Sequence, residues 1–113
     1  YSKKILEEAP LNKSHKKFGF EEPLKYFVPS IGISEIVPIN ENDTEFLIGA
    51  MGNEVVEQDL GLHYIKLNDE RNKIIHHKYI SLNERVRDII VSKKRDKIIL
   101  FLETSSSIAI LHK

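Results

Sequence analysis

Two arginines one residue apart, in Asn83-Glu84-Arg85-Val86-Arg87-Asp88, are the side chains of this 113-residue chain best placed to do chemistry. The stretch reads as the start of a strand running into Ile89-Ile90-Val91. In a strand, residues i and i+2 share a face, so Arg85 and Arg87 lie on one side and Glu84, Val86 and Asp88 on the other. Two guanidiniums side by side repel unless an anion lies between them. Their planar, permanently charged donor forks suit a carboxylate or a phosphate. Either they hold an external anionic ligand, or they bridge to the chain's own carboxylates, such as Glu35 or Asp88.

The remaining candidates are weaker. His76 and His77 are adjacent on a strand and point to opposite sides, so they form no simple two-histidine metal site; both read as structural or solvent-facing. No metal-ligating or catalytic set is found among the five histidines. The chain has no cysteine, which excludes disulfides, thiolate metal sites and a cysteine nucleophile. Lys13-Ser14-His15-Lys16-Lys17 is a small basic cluster. It reads as a solvated loop, with a phosphate or acidic-partner contact as the alternative. Seventeen Lys and Arg balance seventeen Asp and Glu. That balance argues against bulk, salt-driven nucleic-acid binding, as does the lack of aromatics interleaved with the basic residues. No apolar run approaches the roughly 18 residues that span a bilayer. The chain begins at Tyr1 without a methionine and reads as a processed product or a fragment, so a missing leader says little about targeting.

The elements that must position the arginines are strands. Residues 1–20 form an irregular segment, with a helical turn or two over 2–9 stopped by Pro10. Short apolar runs separated by turn residues follow. Strands are expected at Leu24–Val28, Ile33–Val37, Glu45–Met51 (buried on both faces), Leu62–Leu67, Lys73–Ile80, Val86–Val91, Lys97–Leu102 and Ser107–Leu111. Helical periodicity is almost absent after residue 10, so the expected fold class is all-β and antiparallel.

The two halves resemble each other. Ser34-Glu35-Ile36-Val37 matches Arg87-Asp88-Ile89-Ile90, an offset of 53 residues. Phe46-Leu47-Ile48 matches Ile98-Ile99-Leu100 at 52, and His63-Tyr64-Ile65 matches Ala109-Ile110-Leu111 at 46. A period of about 40–50 residues with four strands per unit is the sequence signature of propeller blades. The first unit has four candidate strands and the second has three. The expected organisation is 1–20 irregular and 21–113 a propeller fragment, with a first blade over about 21–80 and a partial second over 81–113. Such a fragment is incomplete on its own, because blades bury their faces against neighbours. Two blades leave two sheet faces uncovered, to be met by missing blades or by self-association. A small sandwich or open barrel is the competing architecture.

Three motifs, in order, carry a family resemblance: Pro29-Ser30-Ile31-Gly32-Ile33-Ser34, Phe46-Leu47-Ile48-Gly49-Ala50-Met51 and Glu84-Arg85-Val86-Arg87-Asp88. Together they resemble the C-terminal part of the soluble pyrroloquinoline quinone (PQQ)-dependent aldose dehydrogenases, the glucose/sorbosone dehydrogenase family, which are six-bladed β-propellers. The resemblance covers about residues 21 to 113. It implies that Arg85 and Arg87 are cofactor-binding, because the family's Arg-x-Arg-Asp arginines approach PQQ, a cofactor with three carboxylates. It implies that Phe27 is the aromatic at the substrate mouth, with Tyr26 its rival if the alignment slips by one, and core packing the alternative for either.

The departures from the family pattern matter as much. The family commonly has a lysine where this chain has Gly52. Its Leu-Thr-Asp strand end appears as Leu102-Glu103-Thr104. In the family, a histidine base takes the proton of the sugar's anomeric hydroxyl, hydride passes to the quinone, and calcium polarises the adjacent carbonyl. That base and the calcium ligands lie in earlier blades, so no catalytic or metal-binding residue is expected in this chain, and the isolated 113 residues are expected to be inactive. The resemblance further implies a sugar substrate for the full-length protein and a periplasmic or secreted location. The alternative is a non-catalytic β-repeat module that self-associates or binds a partner.

Overall fold

The computed structural model describes residues 22–52 and 57–112. The helical turn expected over 2–9 and the basic cluster at 13–17 lie outside the described residues. The chain divides into two compact units, Tyr1–Ser30 and Ile31–Lys113.

In the first unit, the strand expected at Leu24–Val28 does not form. Pro23 and Pro29 bracket it, and each removes an N–H that a ladder would use. Leu24, Tyr26 and Val28 are all half-exposed, so the apolar alternation has no buried face to serve. The Tyr26 hydroxyl donates to Glu22 Oε2 at 3.0 Å. The Lys25 ammonium stands 5.4 Å from the centre of the Phe27 ring.

In the second unit, all regular structure among the described residues is β. Seven strands follow in order: β1 (Ile33–Pro38), β2 (Glu45–Met51), β3 (Leu60–Leu67), β4 (Ile74–Ser81), β5 (Val86–Val91), β6 (Lys97–Leu102) and β7 (Ser107–His112). They form two antiparallel meanders, a sheet of β1-β2-β3-β4 and a sheet of β5-β6-β7. Three of the hairpins turn on the same device. Asn40 Oδ1 accepts the N–H groups of Thr44 and Glu45 at 3.0 Å. Asn68 Oδ1 accepts those of Asn72 and Lys73 at 3.0 and 3.1 Å. Ser92 Oγ accepts that of Lys97 at 3.1 Å. A short polar side chain that satisfies the turn's own donors is why these residue types recur at corners.

The pairing register carries the repeat seen in the sequence. Ile36 pairs with Ile48, and its counterpart Ile89 pairs with Leu100. Ile48 pairs with His63, and Leu100 with Ala109. All three sequence offsets are therefore structural equivalences. Even the irregularity repeats: the register slips between Ile33 and Glu35 in β1, and between Val86 and Asp88 in β5. Each slip is a β-bulge, one extra residue that turns the strand, at Ser34 and at its counterpart Arg87.

The bulge corrects the face assignment at the arginines. Strict alternation placed Val86 and Asp88 on one side. With the extra residue at Arg87, Val86 turns into the core, where none of its surface is exposed, and Asp88 turns out to solvent. The core lies between the sheets. Leu47 and Leu62 of the first meet Val86, Ile89, Ile98 and Leu100 of the second. β5 is the strand of the second sheet that comes closest to the first, beside β1 and β2. The β2 strand is buried through Leu47, Ile48, Gly49 and Ala50, as its apolar composition predicts.

Candidate anion-binding site

Arg85 lies just before β5, and Arg87 is its bulged residue. Both reach one carboxylate. Arg85 Nη1 is 3.4 Å from Glu103 Oε2, and Arg87 Nη1 is 3.3 Å from Glu103 Oε1. The backbone sets this up: Glu103 N–H donates to Arg85 C=O at 2.9 Å, so the β6 strand end lies against the arginine pair. Arg85 is held further by its Nε, which donates to Met51 C=O at 3.2 Å. Glu84 Oε2 accepts the Ser105 N–H at 3.2 Å, fixing the adjoining turn.

The carboxylate between the arginines is therefore Glu103, and not Glu35 or Asp88, the examples of the bridging alternative. Among the described residues its Oε2 is buried with no hydrogen bond, and the Arg85 charge compensates it. Arg87 stays more open, its side chain 56% exposed against 35% for Arg85. Exposed pairs of this kind add at most about 1 kcal/mol each to stability. Their value here is geometric, since they bring two guanidiniums to a single carboxylate, Arg87 by a hydrogen bond and Arg85 by charge alone. The repeat held the signal for Glu103: a register that sets β6 against β5 puts the residue after Leu102 opposite Arg85.

Glu35 and Asp88 form a separate pair across the sheets. The Ile89 N–H is shared between Glu35 Oε2 at 2.8 Å and Asp88 Oδ1 at 2.9 Å. A hydrogen bond between the two carboxyls pushes the Glu35 pKa above its ordinary 4.5; the Ile89 N–H pulls it back, and burial adds to the rise. The folded state thus binds a proton that the unfolded chain has already released. That contribution to stability is full below about pH 4.5 and is lost as pH rises through the folded value. Glu35→Gln keeps a donor toward Asp88 without titrating. Its stability relative to the wild type is expected to improve as pH rises from 4.5, measured by urea midpoints across the range. A constant difference would mean that the carboxyls share no proton.

Among the histidines, His76 and His77 point to opposite sides, as adjacency predicts: His76 meets the Tyr64 ring edge-on, and His77 meets His63. Sequence reasoning missed the last contact. His63 is buried, with Nδ1 2.9 Å from His77 Nε2 and Nε2 2.8 Å from Gln58 C=O. The carbonyl requires a proton on His63 Nε2, so in the neutral ring Nδ1 accepts from His77. On the other face, the Tyr64 hydroxyl donates to Glu45. Burial first, then this bond, pushes its pKa up to about 12.

Gly52 stands where the resemblance expects a lysine, and the space for a side chain is taken. A Cβ built there falls 2.0 Å from Asp59 Oδ2 and 2.4 Å from Asp59 Cβ. Asp59 is buried, and its C=O accepts the Gly52 N–H at 2.8 Å. Phe27 belongs to the first unit, where it is partly buried beside Lys25. Compared with known proteins, the chain gives no significant match to any family, to any curated protein or to any solved structure.

Proposed function

We propose that this chain supplies the arginine side of a PQQ pocket in a sugar dehydrogenase built as a six-bladed β-propeller, the family its three motifs resemble. The observation that carries this reading is the convergence of Arg85 and Arg87 on one carboxylate at 3.4 and 3.3 Å. The two packed meanders with equivalent registers, joined through their first strands, are what a pair of blades requires.

The residues fit an anionic cofactor. The pair already grips a carboxylate, and the open edge of Arg87 has donors left for another. Arg87 would bind a PQQ carboxylate directly. Arg85, tied to Met51 C=O and Glu103, would orient that contact and add charge. Glu103 holds both forks in line and also competes for them. Gly52 leaves one fewer cation than the family pattern, because Asp59 fills that space. When bound, PQQ supplies the ortho-quinone that accepts hydride from the sugar. Fixed positive charge beside it favours the more anionic, reduced form. The base and the calcium ligands would come from other blades.

The test is a PQQ titration of the longest natural chain containing this sequence. A charge-assisted hydrogen bond contributes about 1.5–3 kcal/mol, so Arg87→Ala is expected to weaken PQQ binding roughly 10- to 100-fold. Glu103→Gln, which removes the competing anion, is expected to tighten it. If PQQ affinity is the same in all three proteins, the arginines serve only to hold the β6 strand end.

A further inference from the structure

The contact between the two sheets also predicts what covers the surfaces left open. On the first sheet, the face turned to the core presents Val37, Leu47, Leu62 and Tyr64. Their counterparts on the second sheet are Ile90, Ile99, Ile108 and Ile110, on the face turned away from the core. That face is bare: Ile90 is 55% exposed, Ile108 69%, Ile110 54% and Phe101, beside them, 42%. Ile90, Phe101 and Ile108, together with Ile99, Arg87 and Asp88, line a shallow groove, and Ile110 lies on the same face. At its rim, Asp88 occupies the repeat position of Glu35, the residue that takes the Ile89 N–H across the existing contact.

The complementary half is present at the other end of the same unit. β5 docks on the first sheet through Val86 and Ile89, which are 0% and 2% exposed. Their counterparts on β1, Ile33 and Ile36, are 52% and 57% exposed. One molecule therefore carries both sides of the part of that contact that β5 makes: an open receiving face on β5-β6-β7 and an open docking stripe on β1, while Ile48, the counterpart of Leu100, is already covered. Exposed, contiguous branched aliphatics of this extent mark an association surface.

We propose that the outer face of β5-β6-β7 receives the β1 stripe of a second copy of this chain, head to tail, in the geometry that joins the two sheets within one copy. The interface is heterologous, with different surfaces in contact, so it propagates into a ring or a chain of copies and does not stop at a symmetric dimer. This proposal does not depend on the PQQ reading, because apolar side chains make the contact and no ligand takes part, although Arg87 lies along the groove.

Light scattering and sedimentation velocity on the 113-residue chain test it. The wild type is expected to exceed the monomer mass, increasingly so with concentration. Ile110→Glu destroys the receiving face and Ile36→Glu the docking stripe. Both residues are exposed, so each variant should stay folded and fall to the monomer mass. Mixed together, the two variants still hold one intact face and one intact stripe between them, and are expected to give a species of twice the monomer mass that grows no further. A wild type that is monomeric at every concentration overturns the proposal. So does association that survives Ile36→Glu, which would mean that two β5-β6-β7 faces meet each other, and so does a mixture that stays monomeric.

Discussion

Gly61→Ala is expected to cost about 2–6 kcal/mol, the sum of a strained backbone angle and an overpacking term of about 1–3 kcal/mol each. Gly61 sits in β3 between Ala50 of β2 and Ser81 of β4, with φ at +152°. A Cβ there would lie 2.2 Å from Ile80 C=O and 3.0 Å from the Leu82 nitrogen. Both obstacles are backbone, so no rotamer change relieves them. Relief means moving β4 off β3 and loosening the bonds that Leu60 C=O accepts from Leu82 N–H and the Tyr79 hydroxyl, at 3.2 and 2.8 Å. Small domains have only about 5–15 kcal/mol in all, so the urea midpoint should fall by a large fraction. A loss under about 1 kcal/mol would mean that β4 separates freely from β3.

Leu100→Ala is the second large effect, at about 2–5 kcal/mol. Leu100 is 1% exposed at the middle of β6 and packs in the core between the sheets with Leu47, Leu62, Val86 and Ile89. Truncation leaves a cavity that two already formed sheets can only partly close. The neighbouring Phe101→Ala is the control. Phe101 is the larger side chain, but it faces outward and is 42% exposed, so at concentrations low enough to keep the chain monomeric it should cost less than about 1 kcal/mol. The pair of measurements, by urea unfolding with the m-value held constant, reads which face of the second sheet is the core. Equal losses would overturn the face assignment.

Much of this fold was legible in the sequence because strands announce themselves by apolar runs between turn residues. The repeat was legible for a deeper reason: equivalent positions meet equivalent partners, so the offsets of 53, 52 and 46 are the pairing register itself. The strand expected at Leu24–Val28 failed because composition signals a strand but cannot supply its neighbour. The Arg85–Arg87 pair was legible as two guanidiniums needing an anion. That the anion includes Glu103 was not, since a bulge at Arg87 breaks the two-residue period on which the face assignment rested. Glu35 and Asp88, examples of carboxylates the arginines could bridge to, instead share the Ile89 N–H, and the Glu35 contact joins residues 54 apart that no local pattern encodes. The His63–His77 contact was missed for the same reason, because it runs diagonally between strands whose pairing had first to be fixed.

The meander order within each sheet has a consequence for how the chain folds. β1 to β4 and β5 to β7 each pair only with strands next to them in sequence, so every hairpin closes a short loop at small entropic cost. The contact between the sheets is different. Ser34 Oγ donates to Val86 C=O at 2.6 Å and Glu35 accepts from Ile89 N–H, closing loops of 52 and 54 residues. Two locally assembled sheets that then collide through β5 is the sequence of events this topology favours. On that order the interface core around Leu100 is expected to form late, so that its loss would speed unfolding far more than it slows folding. The lifetime of the folded chain, as distinct from its rate of formation, is set by how firmly β5 stays seated on β1 and β2.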